Sequence, residues 1–298
     1  MTDAEVTLSL GLPNFGDWLG RDWQQLLGLA RAADEAGVDR LVVTDHVLMG
    51  RKTDAYVWGR FPTAPEAPWL EPLTCLTAIA SVTTTVRLAT GIVIAPLRPA
   101  PVLAKTVATL DVLSGGRLDL GVGVGWQREE YDAGGLDFTS RGRLLDDTIG
   151  ACRSLWSQLP ASYTSSTVSF ADVFCSPQPL QPRLPVWFSG TFTARTRRRV
   201  LELGDGWIPI MGATLDDIRA GADDLRGATD RRLSVQAPVP PVRGEGGLDL
   251  AATMEGVPDL IAAGVTNVYL NAMSVAPAPA AVADRLPGLV DAFRAVTT

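Results

Sequence analysis

The sequence has 298 residues, 46% of them apolar, and its 26 basic side chains against 33 acidic ones leave a net charge of −7. That length carries one α/β barrel of about 250 residues or two average domains. The acidic balance argues against nucleic acid or an anionic membrane as the main partner.

Short apolar runs alternate with helical patterns. Strands are expected at Val6–Leu12, Arg40–Thr44, Val86–Ile94, Arg117–Val122, Pro185–Ser189, Gly206–Ile210, Leu233–Ala237 and Thr266–Leu270. Most are continuously apolar, as parallel strands buried on both faces are. Between them the periodicity predicts helices over Trp23–Ala36, Pro72–Ser81, Ala100–Leu113, Arg141–Ser157, Arg195–Leu203, Leu215–Leu225, Asp249–Ala263 and Val282–Ala295. Eight β–α units of about 30 residues predict a single (β/α)8 TIM barrel over 1–298, with a doubly wound open sheet as the alternative. Two long segments, 47–70 and 159–184, are insertions, and such loops are usually functional or lids.

The amino terminus lacks a basic, apolar leader, and no segment approaches 18 uninterrupted apolar residues. A cytoplasmic protein without a membrane span is therefore expected. Cys75, Cys152 and Cys175 are far apart and have one histidine to recruit, so neither a zinc site nor a disulfide framework is expected.

That histidine, His46, ends the apolar run LVVTDH and falls at the mouth of a barrel. Imidazole titrates near neutrality, which suits it to proton transfer; a loop cap with Asp45 is the plain alternative. The stretch LDLGVGVGW has glycines at 121, 123 and 125, the wrong spacing for a dinucleotide fingerprint. Either a flat ligand approaches the backbone there or the barrel packs tightly. Gly91 inside an apolar strand suggests a bulge. At Ser189-Gly190-Thr191 a strand gives way to a helix, an arrangement that binds phosphate, with Arg195 near its first turn. Arg197, Arg198 and Arg199 read as a solvated helix face.

The blocks RLVVTDHV, VRLATGIVIAPLRPAPVLAKTVATLDVLSGGRLDLGVGVGWQREEYDAGGLDF, FCSPQPLQPRLPVWFSG and LGDGWIPI resemble the luciferase-like monooxygenase superfamily, most closely its coenzyme F420 (deazaflavin)-dependent oxidoreductase branch. The resemblance implies a (β/α)8 barrel, a homodimer and hydride transfer between F420 and a small organic substrate. It implies catalysis by His46, with Asp45 orienting the turn. It places a non-prolyl cis peptide at Gly91–Ile92 and a cofactor site of Thr90, Gly91, Ile92, Gly123, Gly125, Trp126, Ser189, Gly190, Thr191 and Arg195. Some relatives carry a glutamate at the position of Trp126 and use it as a second acid. Others carry an aromatic where Gly50 stands, and Gly-Gly is commoner than Ser189-Gly190. Glu129 and Glu130 lie near the site without a required direction. An FMNH2-dependent monooxygenase on the same barrel is the alternative activity, and a barrel without cofactor or catalysis is the third.

Overall fold

The computed structural model describes residues 6–20, 22–59, 61–244 and 247–297. Eight parallel strands carry the barrel: β1 (Thr7–Gly11), β2 (Arg40–Val43), β3 (Arg87–Thr90), β4 (Leu118–Gly123), β5 (Val186–Ser189), β6 (Gly206–Ile208), β7 (Ser234–Pro238) and β8 (Asn267–Asn271). Their order is β3-β2-β1-β8-β7-β6-β5-β4, and β3 pairs back with β4, so the sheet closes. After the cis Gly91–Ile92 peptide the chain resumes pairing with β4 through Val93 and Ile94. Closure leaves no free edge.

Alternate side chains of each strand point out to the helices. Leu8, Leu41, Leu88, Leu120, Phe188, Trp207, Val235 and Val268 belong to one continuous apolar core beneath them. The intervening positions turn inward, and some are polar. Arg40 on β2 reaches Asp119 on β4 at 2.8 Å and lies over the Trp187 ring of β5 at 4.3 Å. Neither strand pairs with β2, so these contacts cross the lumen. Ser9 bonds Asn267 at 2.8 Å.

The expected helices fall where the periodicity puts them, with two differences, and two short helices it does not predict are added at Arg128–Ala133 and Ala272–Val275. The span expected as one helix at Asp249–Ala263 is two, Leu250–Met254 and Val257–Ala262, separated at Gly256. Pro258 sits in the first turn of the second, where its missing N–H costs nothing. The last helix extends over Pro279–Thr297. No helix among the described residues is long and apolar enough to cross a membrane.

The two insertions differ in place. Residues 47–70 link β2 to the helix Pro72–Ala80, which puts them at the carboxyl ends of the strands. Residues 159–184 link the helix Arg141–Ser157 to β5, and so lie at the opposite end. They fold as a hairpin, Ala161–Thr164 with Ser169–Val173. This hairpin packs on its preceding helix, where Ser154 Oγ donates to Ser162 O at 2.9 Å. The expectation of a lid therefore fails for 159–184, because its connection runs from helix to strand.

Candidate active site

The strand β2 delivers Thr44, Asp45 and His46 to the barrel rim, and buried polar groups fix this turn from both sides. Asn14, wholly buried after β1, accepts from the Thr44 amide at 3.0 Å. It also donates to the carbonyls of Thr44 and Leu70, each at 2.8 Å. Asp45 does not pair with His46. Its Oδ2 accepts from the Ile94 amide at 2.8 Å and from Arg98 at 2.6 Å, and Oδ1 accepts from Arg98 at 3.1 Å. Arg98 also reaches Glu71 at 2.7 Å. Burial pulls the Arg98 guanidinium pKa down, but Asp45 and Glu71 outweigh it and hold it above the ordinary value. The histidine turn is thus not a loop cap made by its own aspartate. Asp45 orients the turn by tying it to the segment after β3.

His46 faces a carboxylate from elsewhere. The short helix Arg128–Ala133 after β4 brings in Glu130, whose side chain is fully buried. Glu130 Oε1 accepts from the Val47 amide at 2.8 Å and stands 3.3 Å from His46 Nδ1. One turn earlier Gln127 accepts from the Gly50 amide at 2.7 Å. Two side chains of one helical turn therefore clamp the start of the 47–70 segment. Glu129 points elsewhere and packs over Gly50, where a Cβ would fall 2.6 Å from its carboxyl carbon.

Aromatic rings enclose the imidazole edge-on. The centroids of Trp69, Phe61 and Trp126 lie 4.8, 5.7 and 5.8 Å from that of His46. Tyr56 packs on Phe61 and Trp126, at 5.3 and 5.5 Å. Its hydroxyl reaches Met211 Sδ, beyond β6, at 3.6 Å. The 47–70 segment thus reaches across the mouth, and burial pushes the Tyr56 pKa up. Thr63 Oγ1 and Trp69 Nε1, both in this segment, are buried with no hydrogen-bond partner among the described residues.

The remaining expected residues stand at neighbouring strand ends. Thr90, Gly91 and Ile92 end β3, and Gly123, Gly125 and Trp126 end β4. Thr90 Oγ1 donates to the Gly121 carbonyl at 2.7 Å, so its hydroxyl is spent inside the barrel wall. The β4 glycines are packed against β3: a Cβ on Gly121 would meet the Thr90 carbonyl at 1.9 Å, and one on Gly123 would meet Ile92 Cδ1 at 2.9 Å. Tight packing is therefore what the apposed strands require of them. A small residue at 123 also leaves room for the half-buried Ile92 side chain at this part of the rim.

At β5 the Ser189-Gly190-Thr191 turn precedes the helix Ala194–Glu202, with Gly190 at φ +147°. Thr193 caps this helix by accepting from the Thr196 amide at 3.2 Å. The Ser189 and Thr191 hydroxyls and the exposed Arg195 guanidinium have no hydrogen-bond partner among the described residues, and Arg195 lies against Gly142. These groups, with the first amides of the helix, fit a phosphate. Of the other arginines, Arg197 and Arg198 do lie on a partly solvated face, their side chains 41% and 56% exposed, and Arg199 does not. Arg199 is buried and pairs with Asp146, Arg197 pairs with Asp224 at 2.5 Å, and Arg198 reaches Asp146 at 3.2 Å. They tie this helix to its neighbours. No group of three or more potential metal ligands occurs among the described residues.

Comparison with known proteins gives the family and the fold. An uncharacterized protein of Mycobacterium tuberculosis is 34% identical over 188 residues, which cover 60% of this chain and 65% of that protein. The FMNH(2)-dependent dimethylsulfone monooxygenase of Pseudomonas putida is 30% identical over 159 residues, covering 52% of this chain and 43% of that enzyme. The solved structure of an F420-dependent secondary alcohol dehydrogenase in complex with an F420-acetone adduct superimposes with a TM-score of 0.77 at 16% identity, covering 97% of this chain and 99% of that one. This last likeness is one of fold. The profile of the luciferase-like monooxygenase family matches residues 7–244, and the chain belongs to that family of oxidoreductases and monooxygenases.

Proposed function

We propose that this protein transfers a hydride between coenzyme F420 and a small organic molecule, with His46 exchanging the accompanying proton. The observation that carries this reading is the placement of the only imidazole in the sequence. It sits at the rim, with Nδ1 on a buried carboxylate and aromatic edges around it. A proton can be held at Nε2 while Nδ1 remains engaged.

Bound at this rim, the deazaflavin supplies the hydride chemistry. The protein binds and orients. Ser189, Gly190, Thr191 and Arg195 hold the phosphate; Thr90, Gly91, Ile92, Gly123, Gly125 and Trp126 line the ring. Phe61, Trp69 and Tyr56 exclude water around His46, which strengthens each polar contact within.

A second reading has an observation in its favour: the P. putida relative is named for FMNH2-dependent oxygenation. The two separate by titration. Purified protein is titrated with F420 and with FMN, in oxidised and reduced forms, while tryptophan fluorescence is followed. Saturable quenching by F420 with no comparable response to FMN supports hydride transfer. Tight binding of reduced FMN with oxygen consumption, and none of F420, overturns it.

A further inference from the structure

We infer that Glu130 is a positioning residue for His46: it fixes the imidazole as the Nδ1–H tautomer and leaves Nε2 as the nitrogen that meets the reactants. The inference deepens the proposed function and rests on His46 acting in it.

The carboxylate is wholly out of water, and its Oε2 has no hydrogen-bond partner among the described residues. Buried charges are normally paired. The only ionisable partner of Glu130 among the described residues is His46, at 3.3 Å. Oε1 already accepts from the Val47 amide at 2.8 Å, so it meets the ring as an acceptor and the Nδ1 facing it carries the proton.

The same Oε1 also takes the Val47 amide at 2.8 Å. The residue after the histidine is thereby locked to the oxygen that the histidine faces. The orientation is set by backbone as well as by side chain. Turning the ring over would present a C–H to Oε1, and the edges of Trp69, Phe61 and Trp126 crowd the ring on other sides. Where some relatives of this family have a second acid, this chain has Trp126. The carboxylate here comes four residues later and lies behind the histidine, on Nδ1. It acts through His46 and has no direct contact to make with the substrate.

The test uses the intact protein labelled with 15N-histidine, whose one imidazole gives one pair of ring signals. Long-range proton–nitrogen correlation at a pH where the ring is neutral reads the tautomer directly. The wild type is expected to show a protonated Nδ1 and a bare Nε2. Glu130→Gln keeps an oxygen for both Nδ1 and the Val47 amide and should retain the wild-type tautomer, whereas Glu130→Leu, which removes it, is expected to shift the population toward the other tautomer. Turnover of Glu130→Leu should fall by about 10- to 100-fold with KM little changed, the usual loss when an orienting partner is removed. A bare Nδ1 in the wild type overturns the inference, even if no variant folds. So does an unaltered imidazole spectrum in folded Glu130→Leu. The spectra need neither cofactor nor substrate. A failed cofactor titration would therefore sink the proposed function and leave the tautomer result standing on its own.

Discussion

Asp45 gives both carboxylate oxygens to Arg98, at 2.6 and 3.1 Å, and so anchors the histidine turn to the segment that follows β3. Asp45 is fully buried at its side chain and Arg98 nearly so. Arg98→Leu would leave the carboxylate with the Ile94 amide alone. Removing one partner of a buried pair costs about 3–5 kcal/mol. We expect that loss in urea unfolding of Arg98→Leu. A loss below about 1 kcal/mol would show that water reaches Asp45 freely.

His46→Ala should lower the single-turnover rate by about 10² to 10⁴ if the imidazole is general acid or base. Cofactor affinity should hold, because His46 is not among the groups assigned to the phosphate or the ring. Stopped-flow mixing of the cofactor-loaded variant with substrate separates the two effects. An unchanged rate removes His46 from the chemistry.

The barrel was legible because its strands are buried on both sides. All six residues of β4 and all four of β2 are buried, so apolar runs mark them without alternation. His46 was legible as the one imidazole at a strand end. Its partner was not. Glu129 and Glu130 are adjacent on a short helix that faces two neighbours, and only the phase of that helix decides which one points to His46. Asn14 was hidden for another reason. In the run LPNFG it reads as a turn residue, yet it is a wholly buried hub that joins the end of β2 to the end of the 47–70 segment. The pairing of Arg199 with Asp146 spans 53 residues, a separation that periodicity cannot bridge. The misplaced lid at 159–184 had a readable signal: it follows a helix and precedes a strand, which puts it away from the site.

Burial pushes the Cys75 thiol up to about 12, and pushes Cys152 up as well. An ordinary thiol titrates near 8.5, and only the thiolate is reactive. At pH 8 in the native protein these two should react with a thiol reagent about a thousandfold more slowly than a free cysteine does. In denaturant all three cysteines should react at once. Fast native labelling of Cys75 would mean that the helix Pro72–Ala80 opens readily.

Asp34 ties the helix Gln24–Glu35 to the start of β3. Its carboxylate accepts from the amides of Thr84, Thr85 and Val86 at 2.6, 3.0 and 2.7 Å, and from the Thr85 hydroxyl at 2.6 Å. Partial burial pushes its pKa up, but these bonds outweigh it and hold the group well below the usual carboxylate range. The folded state therefore favours the ionised form more than the unfolded chain does, where an aspartate titrates near 3.9. The stabilisation is complete above that value and is lost as pH falls below it toward the folded pKa. Urea midpoints measured from pH 6 to pH 2.5 should drop more steeply in the wild type than in Asp34→Asn. The variant should already be the less stable at pH 6, since its amide cannot match the carboxylate as acceptor for five donors, the Thr84 hydroxyl at 3.1 Å included. The two curves should approach each other at the acid end. Parallel curves would mean that the Thr84–Val86 contacts survive protonation.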